Sequence, residues 1–189
     1  ILDDCRNKGV SIDLTLLDLS EVQLELSRST LAPYSGKNRV LRINGDARDT
    51  AYSSIPLNSL DAIIIKMGLH EVGLEDQKKI LETCYSHLNP KGKLYIWGAI
   101  GSTDEVTDFF RKVVRKKDIL AGFNQMAENR YFPTQSEMVS NLINSGFEPR
   151  QIHVGDFIID LQYLADLRYG TRVGEFNRYV KSIITPSLK

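Results

Sequence analysis

Two aspartates, Asp18 and Asp46, stand where short apolar runs give way to breaks in the chain. Asp18 lies at the end of LTLLDL, residues 14–19, a run too short for a helix of its own and read as a buried strand. A carboxylate there can accept both hydroxyls of a ribose, as the acid about 20 residues past a dinucleotide fingerprint does. Equally, it can stabilise the amino end of the helix that begins at Ser20, a contribution of about 0.3–1 kcal/mol. Asp46 follows Gly45 at the end of the next strand, Val40 to Ile43. An acceptor in that place suits an exocyclic amine such as that of adenine, or simply closes a turn. Together the acids say more than either alone. Acids at adjacent strand ends line one side of a crevice, and open α/β sheets bind ligands beyond the carboxyl ends of their strands.

A second group of polar residues sits in LDAIIIKMGLHEVGLEDQKKILETCYSHLNPKGKLYIWGAI, Leu60 to Ile100. An apolar strand, Asp61 to Ile65, runs into a loop holding Lys66, Gly68 and His70. A helix follows Gly73, with Ile80, Leu81, Cys84, Tyr85 and Leu88 on one face at helical spacing. It stops at Asn89-Pro90-Lys91-Gly92, and a second strand, Lys93 to Ala99, begins at once. Strand, helix and strand joined this tightly predict a right-handed parallel βαβ unit. The loop Lys66 to Glu71 and the residues after Trp97 then lie at a binding edge. Trp97 suits either a pocket wall or core packing. His87 is read as helix surface and His153 as strand surface.

The remaining elements follow from helix-start signals. Ser20 and Gln23 have capping-box spacing, as do Ser102 with Glu105 and Thr134 with Glu137. The second of these helices should carry Val106, Phe109, Phe110, Val113 and Val114 inward, and the third should close at Gly146. Ile1 to Gly9 reads as the last turns of a helix ending at a terminating glycine. Val154 to Leu161 is expected to contain a strand, and Phe176 to Ile184 is either a helix or an edge strand. Leu120 to Phe132 fits no regular core pattern. The alternation of strands and helices predicts a doubly wound α/β sheet, mostly parallel, within a single domain spanning 1–189.

Composition narrows the function classes. Apolar residues are 42% and charged residues 25%, and 24 basic residues balance 24 acidic ones. Zero net charge removes the electrostatic argument for nucleic acid or an anionic membrane as partner. Arg111 to Lys117 is the one basic cluster, and on a helix it reads as a solvated face. The cysteines, Cys5 and Cys84, have no metal-site spacing with any histidine, so no metal is expected, and Cys84 reads as a reduced, buried thiol. No apolar run approaches the roughly 20 residues of a membrane span, and no signal peptide is visible, so a cytoplasmic location is the simplest expectation.

These pieces resemble the class I S-adenosylmethionine-dependent methyltransferases, in the group with small-molecule and ubiquinone-biosynthesis-type members. LTLLDLS matches the second strand with its ribose-binding acid, INGDA the third strand with its adenine-side acid, LDAIIIKMGLHEV the fourth strand and its loop, and HLNPKGKLYIWG the fifth strand after a Pro-x-Gly turn. SGFEPRQIHV resembles the entry to the sixth strand. The resemblance implies a Rossmann-like fold, S-adenosylmethionine as cofactor and a small-molecule methyl acceptor. It implies that Asp18 binds the ribose, Leu19 packs on the adenine, Asp46 and Ala47 hold the adenine edge, and Lys66, Met67 and Gly68 line the sulfonium side. His70 becomes the best candidate for a substrate-facing group and general base, the alternative being a histidine that hydrogen-bonds the loop backbone. Phe123, Met126, Tyr131 and Phe132 become either an apolar lid, with Asn124 and Arg130 as polar anchors, or an ordinary packed connection.

One departure is large. The family's Gly-rich motif follows its first strand, and no Gly-x-Gly precedes Asp18. The expectation is therefore an amino-terminally truncated domain, with that strand missing between the strands at Leu14 and Asp61. Two other readings compete. A catalytically silent relative could serve as a binding or scaffold subunit, and an NAD(P)-dependent Rossmann oxidoreductase would also suit Asp18, though the Pro-x-Gly turn and Asp46 fit it less well. A homodimer is one arrangement that the tyrosine-rich tail, Tyr163, Tyr169 and Tyr179, would suit.

Overall fold

The computed structural model describes residues 2–34, 39–49, 55–101, 103–155 and 173–184. The contacts divide the chain into two compact units, 1–54 and 55–189.

The first unit is built on one parallel strand pair. Helix α1, Leu2–Asn7, ends as expected before Gly9, whose φ of +68° is the left-handed conformation of a terminating glycine. Strand β1, Asp13–Asp18, pairs in parallel with β2, Arg39–Asn44, in a register that sets Asp18 beside Asn44. Between them runs α2, Glu21–Leu31. Its N-cap Ser20 accepts a hydrogen bond from the Gln23 backbone N–H at 3.3 Å, satisfying one of the orphan donors of the first turn. Leu24 is the residue α2 buries.

The second unit repeats the parallel pairing. Strand β3, Leu60–Lys66, pairs with β4, Leu88–Trp97, and α3, Leu74–His87, connects them. The expected parallel strand–helix–strand unit is there, with one difference. The Asn89–Gly92 turn does not precede β4 but interrupts it: Leu60 pairs with Leu88 and Ala62 already with Lys93. The strand therefore takes up the extra residues as an irregularity. Gly92 lies at its tightest point, where a Cβ would come within 2.8 Å of the Leu60 carbonyl oxygen. Helix α3 buries Ile80, Leu81 and Cys84 as its spacing predicts, and Leu88 just past its end is buried too. Tyr85 does not follow them. It is 52% exposed and meets Phe147 edge-on at 5.3 Å. His87, read from the sequence as helix surface, is buried, with Nδ1 2.9 Å from the Thr83 carbonyl oxygen.

The core of this unit lies on α4, Asp104–Leu120. Val113 and Leu120 pack with Phe176 and Val180 of a carboxyl-terminal helix, here α7, Val173–Ile184. That settles the segment at Phe176 as a helix rather than an edge strand. Val114 packs with Ala99 and Phe132, and Phe110 against them. Val106 faces solvent instead, at 50% exposure. The N-cap of α4 is Thr103, one residue later than the expected Ser102, which lies outside the described residues. A short helix, α5, Asn124–Asn129, occupies the segment that showed no regular pattern. Helix α6, Gln135–Asn144, opens on the full Thr134–Glu137 capping box and closes before Gly146 at a φ of +93°. Val154 and Gly155 carry no strand, and 156–161 lie outside the described residues. Among the described residues, no helix is long and apolar enough to cross a membrane.

Candidate functional site

In the first unit the carboxyl ends of β1 and β2 bring the two expected acids to one edge. The Gly45 N–H donates to the Asp18 carbonyl at 3.1 Å, and Asn44 Nδ2 reaches the carbonyls of Asp18 and Leu19 at 3.2 and 2.9 Å. This lacing fixes the turn that carries Asp46 beside the end of β1. The Asp18 carboxylate is exposed, and its Oδ1 accepts the Ser20 N–H at 2.7 Å. One role weighed for Asp18 is therefore visible, since Oδ1 serves the helix start while the residue remains exposed. Leu19 is 66% exposed beside it. Asp46 is more engaged. The Arg48 guanidinium forks onto both its oxygens, and the Arg48 N–H donates to Oδ1 at 2.9 Å. That hydrogen bonding holds the Asp46 carboxyl below the usual carboxylate range. Ala47 is in the turn between them, half-buried.

In the second unit β3 delivers Lys66, Met67 and Gly68 to the loop at its carboxyl end. Strand alternation puts Ile63 and Ile65 on the more buried face and Ile64 and Lys66 on the exposed one. Lys66 pairs in register with Trp97, and its ammonium lies 5.0 Å over the indole. Trp97 is 66% exposed, so it is not a core residue. Met67 takes a φ of +55°, rare for a residue with a side chain, and its N–H donates to the Trp97 carbonyl at 2.7 Å. The turn after Gly68 then carries His70 inward.

His70 is 6% exposed. Its ring stacks on Phe132 with centroids 4.8 Å apart and planes 20° from parallel. Burial foremost, then the Arg130 and Lys117 cations, push the imidazole down to about 4, while Asp118 opposes them. The ring is therefore neutral at neutral pH. Asp118, at 1% exposure, bridges those cations: Lys117 Nζ is 3.0 Å from one oxygen and Arg130 Nε 3.0 Å from the other. Sequence reasoning missed Asp118, because an acid late in a helix rich in Lys and Arg looks like a solvated partner. Arg111 of the same basic run is not simply solvated either. Its Nε and one terminal nitrogen donate to the Phe132 carbonyl at 2.9 and 2.6 Å, and it covers the Tyr131 ring at 4.2 Å.

Of the expected lid residues, Phe132 and Tyr131 meet the His70 turn, the latter through an N–H donated to the His70 carbonyl at 3.2 Å. Arg130 is anchored on Asp118, whereas Phe123 is 52% exposed. Among the described residues, no group of three or more His, Cys, Asp or Glu could hold a metal ion.

A family model described as a methyltransferase domain matches residues 2–92. No curated protein sequence matches the chain. Several solved structures share its fold. The structure of PigF with SAH aligns over 76% of this chain and 46% of its own, at 16% identity and a TM-score of 0.56. An arsenic(III) S-adenosylmethionine methyltransferase from Chlamydomonas reinhardtii aligns over 82% and 57%, at 17% identity and 0.59. An O-methyltransferase family protein from Burkholderia thailandensis aligns over 76% and 47%, at 14% and 0.56. The chain spans roughly half the length of these structures.

Proposed function

We propose that the protein transfers the methyl group of S-adenosylmethionine to a small-molecule acceptor, a reading supported by the methyltransferase-domain match over residues 2–92 and by the shared fold. Residues 1–189 are taken as one methyltransferase domain. The observation that carries the reading is the shared edge of Asp18 and Asp46, acids at the carboxyl ends of two paired parallel strands. The residues present fit the cofactor. Asp18 is an exposed carboxylate of which one oxygen is engaged at its own helix start, suited to a ribose hydroxyl, and Leu19 offers exposed apolar surface for a purine. In the first unit Asp46 and Ala47 would take the adenine edge.

When bound, the cofactor supplies an electrophilic methyl carbon on a sulfonium. The chain's part is to hold an acceptor in line with it and to receive the acceptor's proton. His70 is the group proposed to take that proton. Its imidazole is in the accepting form at neutral pH, but so weak a base contributes toward the lower end of the roughly 10²–10⁴-fold that general bases supply.

Calorimetry on the full-length protein tests the reading. S-adenosylmethionine should bind, and Asp18→Ala should weaken it by roughly 1.5–3 kcal/mol, the worth of charge-assisted hydrogen bonds. Unchanged affinity in that variant sinks the ribose assignment, and tight NADH binding instead would favour an oxidoreductase. Methyl transfer to a panel of small hydroxyl, amine and thiol compounds, followed by S-adenosylhomocysteine release, tests the base. His70→Ala should lower turnover while leaving cofactor affinity intact, and equal turnover removes His70 from the chemistry.

A further inference from the structure

A histidine that moves a proton must have its ring aimed, and the usual device is a hydrogen bond at the second ring nitrogen. His70 lacks it. Its Nδ1 is buried and has no hydrogen-bond partner among the described residues. The ring is aimed by other means. Its broad face rests on Phe132, and its carbonyl accepts the Tyr131 N–H. Phe132 is in turn braced edge-on by Phe110 at 4.7 Å and held at its carbonyl by Arg111.

One side chain fastens this segment to the histidine turn. Gln77, on the first turns of α3, is fully buried. Its Nε2 donates to the Tyr131 carbonyl at 2.7 Å and to the Val72 carbonyl at 3.2 Å. Val72 follows His70 by two residues, and Tyr131 precedes the stacking plate by one. A buried amide that spends its N–H groups on two loop carbonyls is costly unless both bonds persist. We propose that Gln77 is a positioning residue for His70: by clamping Val72 to Tyr131 it keeps the Phe132 ring under the imidazole, in place of the hydrogen bond that orients other catalytic histidines. The claim rests on the reading of His70 as the base, but its geometric half can be measured without any acceptor.

The test is carbon–proton NMR of the full-length protein carrying labelled histidine. The His70 signals are assigned by their loss in His70→Gln. A ring lying face-on over another is shifted upfield, so Phe132→Leu marks the position of an unstacked His70. Gln77→Met keeps the volume and removes both hydrogen bonds. Its His70 signals should move at least halfway to the Phe132→Leu position. Asn141→Leu, which alters another buried amide on α6, should leave them in place. A folded Gln77→Met protein with His70 at its original shift overturns the proposal, as does an equal movement in Asn141→Leu, which would mean general loosening. If Gln77→Met does not fold, Gln77→Asn, whose shorter amide cannot span to both carbonyls, is read in the same way, and an unmoved His70 again overturns the proposal. Should His70→Ala retain full turnover, the base reading fails while these shifts still decide whether Gln77 orients the ring.

Discussion

His70 joins two demands that oppose each other. Stacking it on Phe132 fixes its plane, and the burial that comes with stacking strips its cationic form of water. The structure meets the second demand by keeping the ring neutral. This has a consequence for stability. The unfolded imidazole takes a proton near pH 6.5, whereas the folded one resists until about 4. Above about pH 6.5 both states are neutral and His70 contributes no pH dependence. As pH falls from there toward 4 the unfolded state alone binds the proton, so stability is lost across that window and then levels off. The loss attributable to His70 is roughly 2–3 kcal/mol. Urea unfolding at about pH 7 and pH 4.5 should show wild type losing that much more than His70→Leu. Parallel losses in the two proteins would show that the ring is not held neutral by its surroundings.

At the scale of elements, α6 owes its start to a reciprocal pair. The Thr134 hydroxyl accepts the Glu137 N–H at 3.2 Å, and the Glu137 carboxylate accepts the Thr134 N–H at 2.7 Å. Glu137 also accepts the Tyr131 hydroxyl at 2.6 Å, so the cap is continuous with the segment that supports His70. Tyr131 is held in its neutral form, its ionisation raised by burial and then by this bond. Thr134→Ala should cost about 1 kcal/mol in denaturant midpoint experiments, the usual worth of an N-cap side chain, and Thr134→Ser should recover most of it. Equal losses in both variants would assign the effect to packing of the Thr134 methyl group. Gly101 is a second fixed point here. Its N–H donates to the Pro133 carbonyl at 3.1 Å, and a Cβ on it would lie 1.6 Å from Thr107 Oγ1, so no other residue fits.

At the scale of the molecule, the two units differ in what they bury. Residues 1–54 bury Leu24 as their one buried apolar side chain among those described, whereas 55–189 hold the clusters on α3 and α4. The two cysteines report on this difference. Cys5 in α1 is half-buried, while Cys84 in α3 is buried, and burial pushes its thiol up to about 12. A thiol reagent at about pH 8 should therefore modify Cys5 promptly, because only an accessible thiolate reacts. Cys84 should react only as fast as its surroundings open. Two equally fast thiols would mean that the α3 packing opens readily in the native protein.

The chain's local chemistry was legible from its residues. The short apolar runs became β1, β2 and β3, and the caps at Ser20 and Thr134 became helix starts, because strand alternation and capping depend on neighbours within a few residues. The shared edge of Asp18 and Asp46 followed from the same signals, since Asp18 ends β1 and Asp46 stands in the turn just after β2. The inward face given to Tyr85 and Val106, and the surface place given to His87, were misjudged, because helical spacing names a face without saying how wide a strip of it the neighbours will cover. What surrounds His70 was decided by tertiary contacts alone. Gln77 meets Tyr131 across 54 residues, and Arg111 meets Phe132 across 21. A glutamine early in an amphipathic helix and an arginine in a basic run carry no local mark of such partners. Burial itself turned His70 from a loop residue into a neutral, stacked ring, and no pattern of residue types encodes burial that is completed by a distant segment.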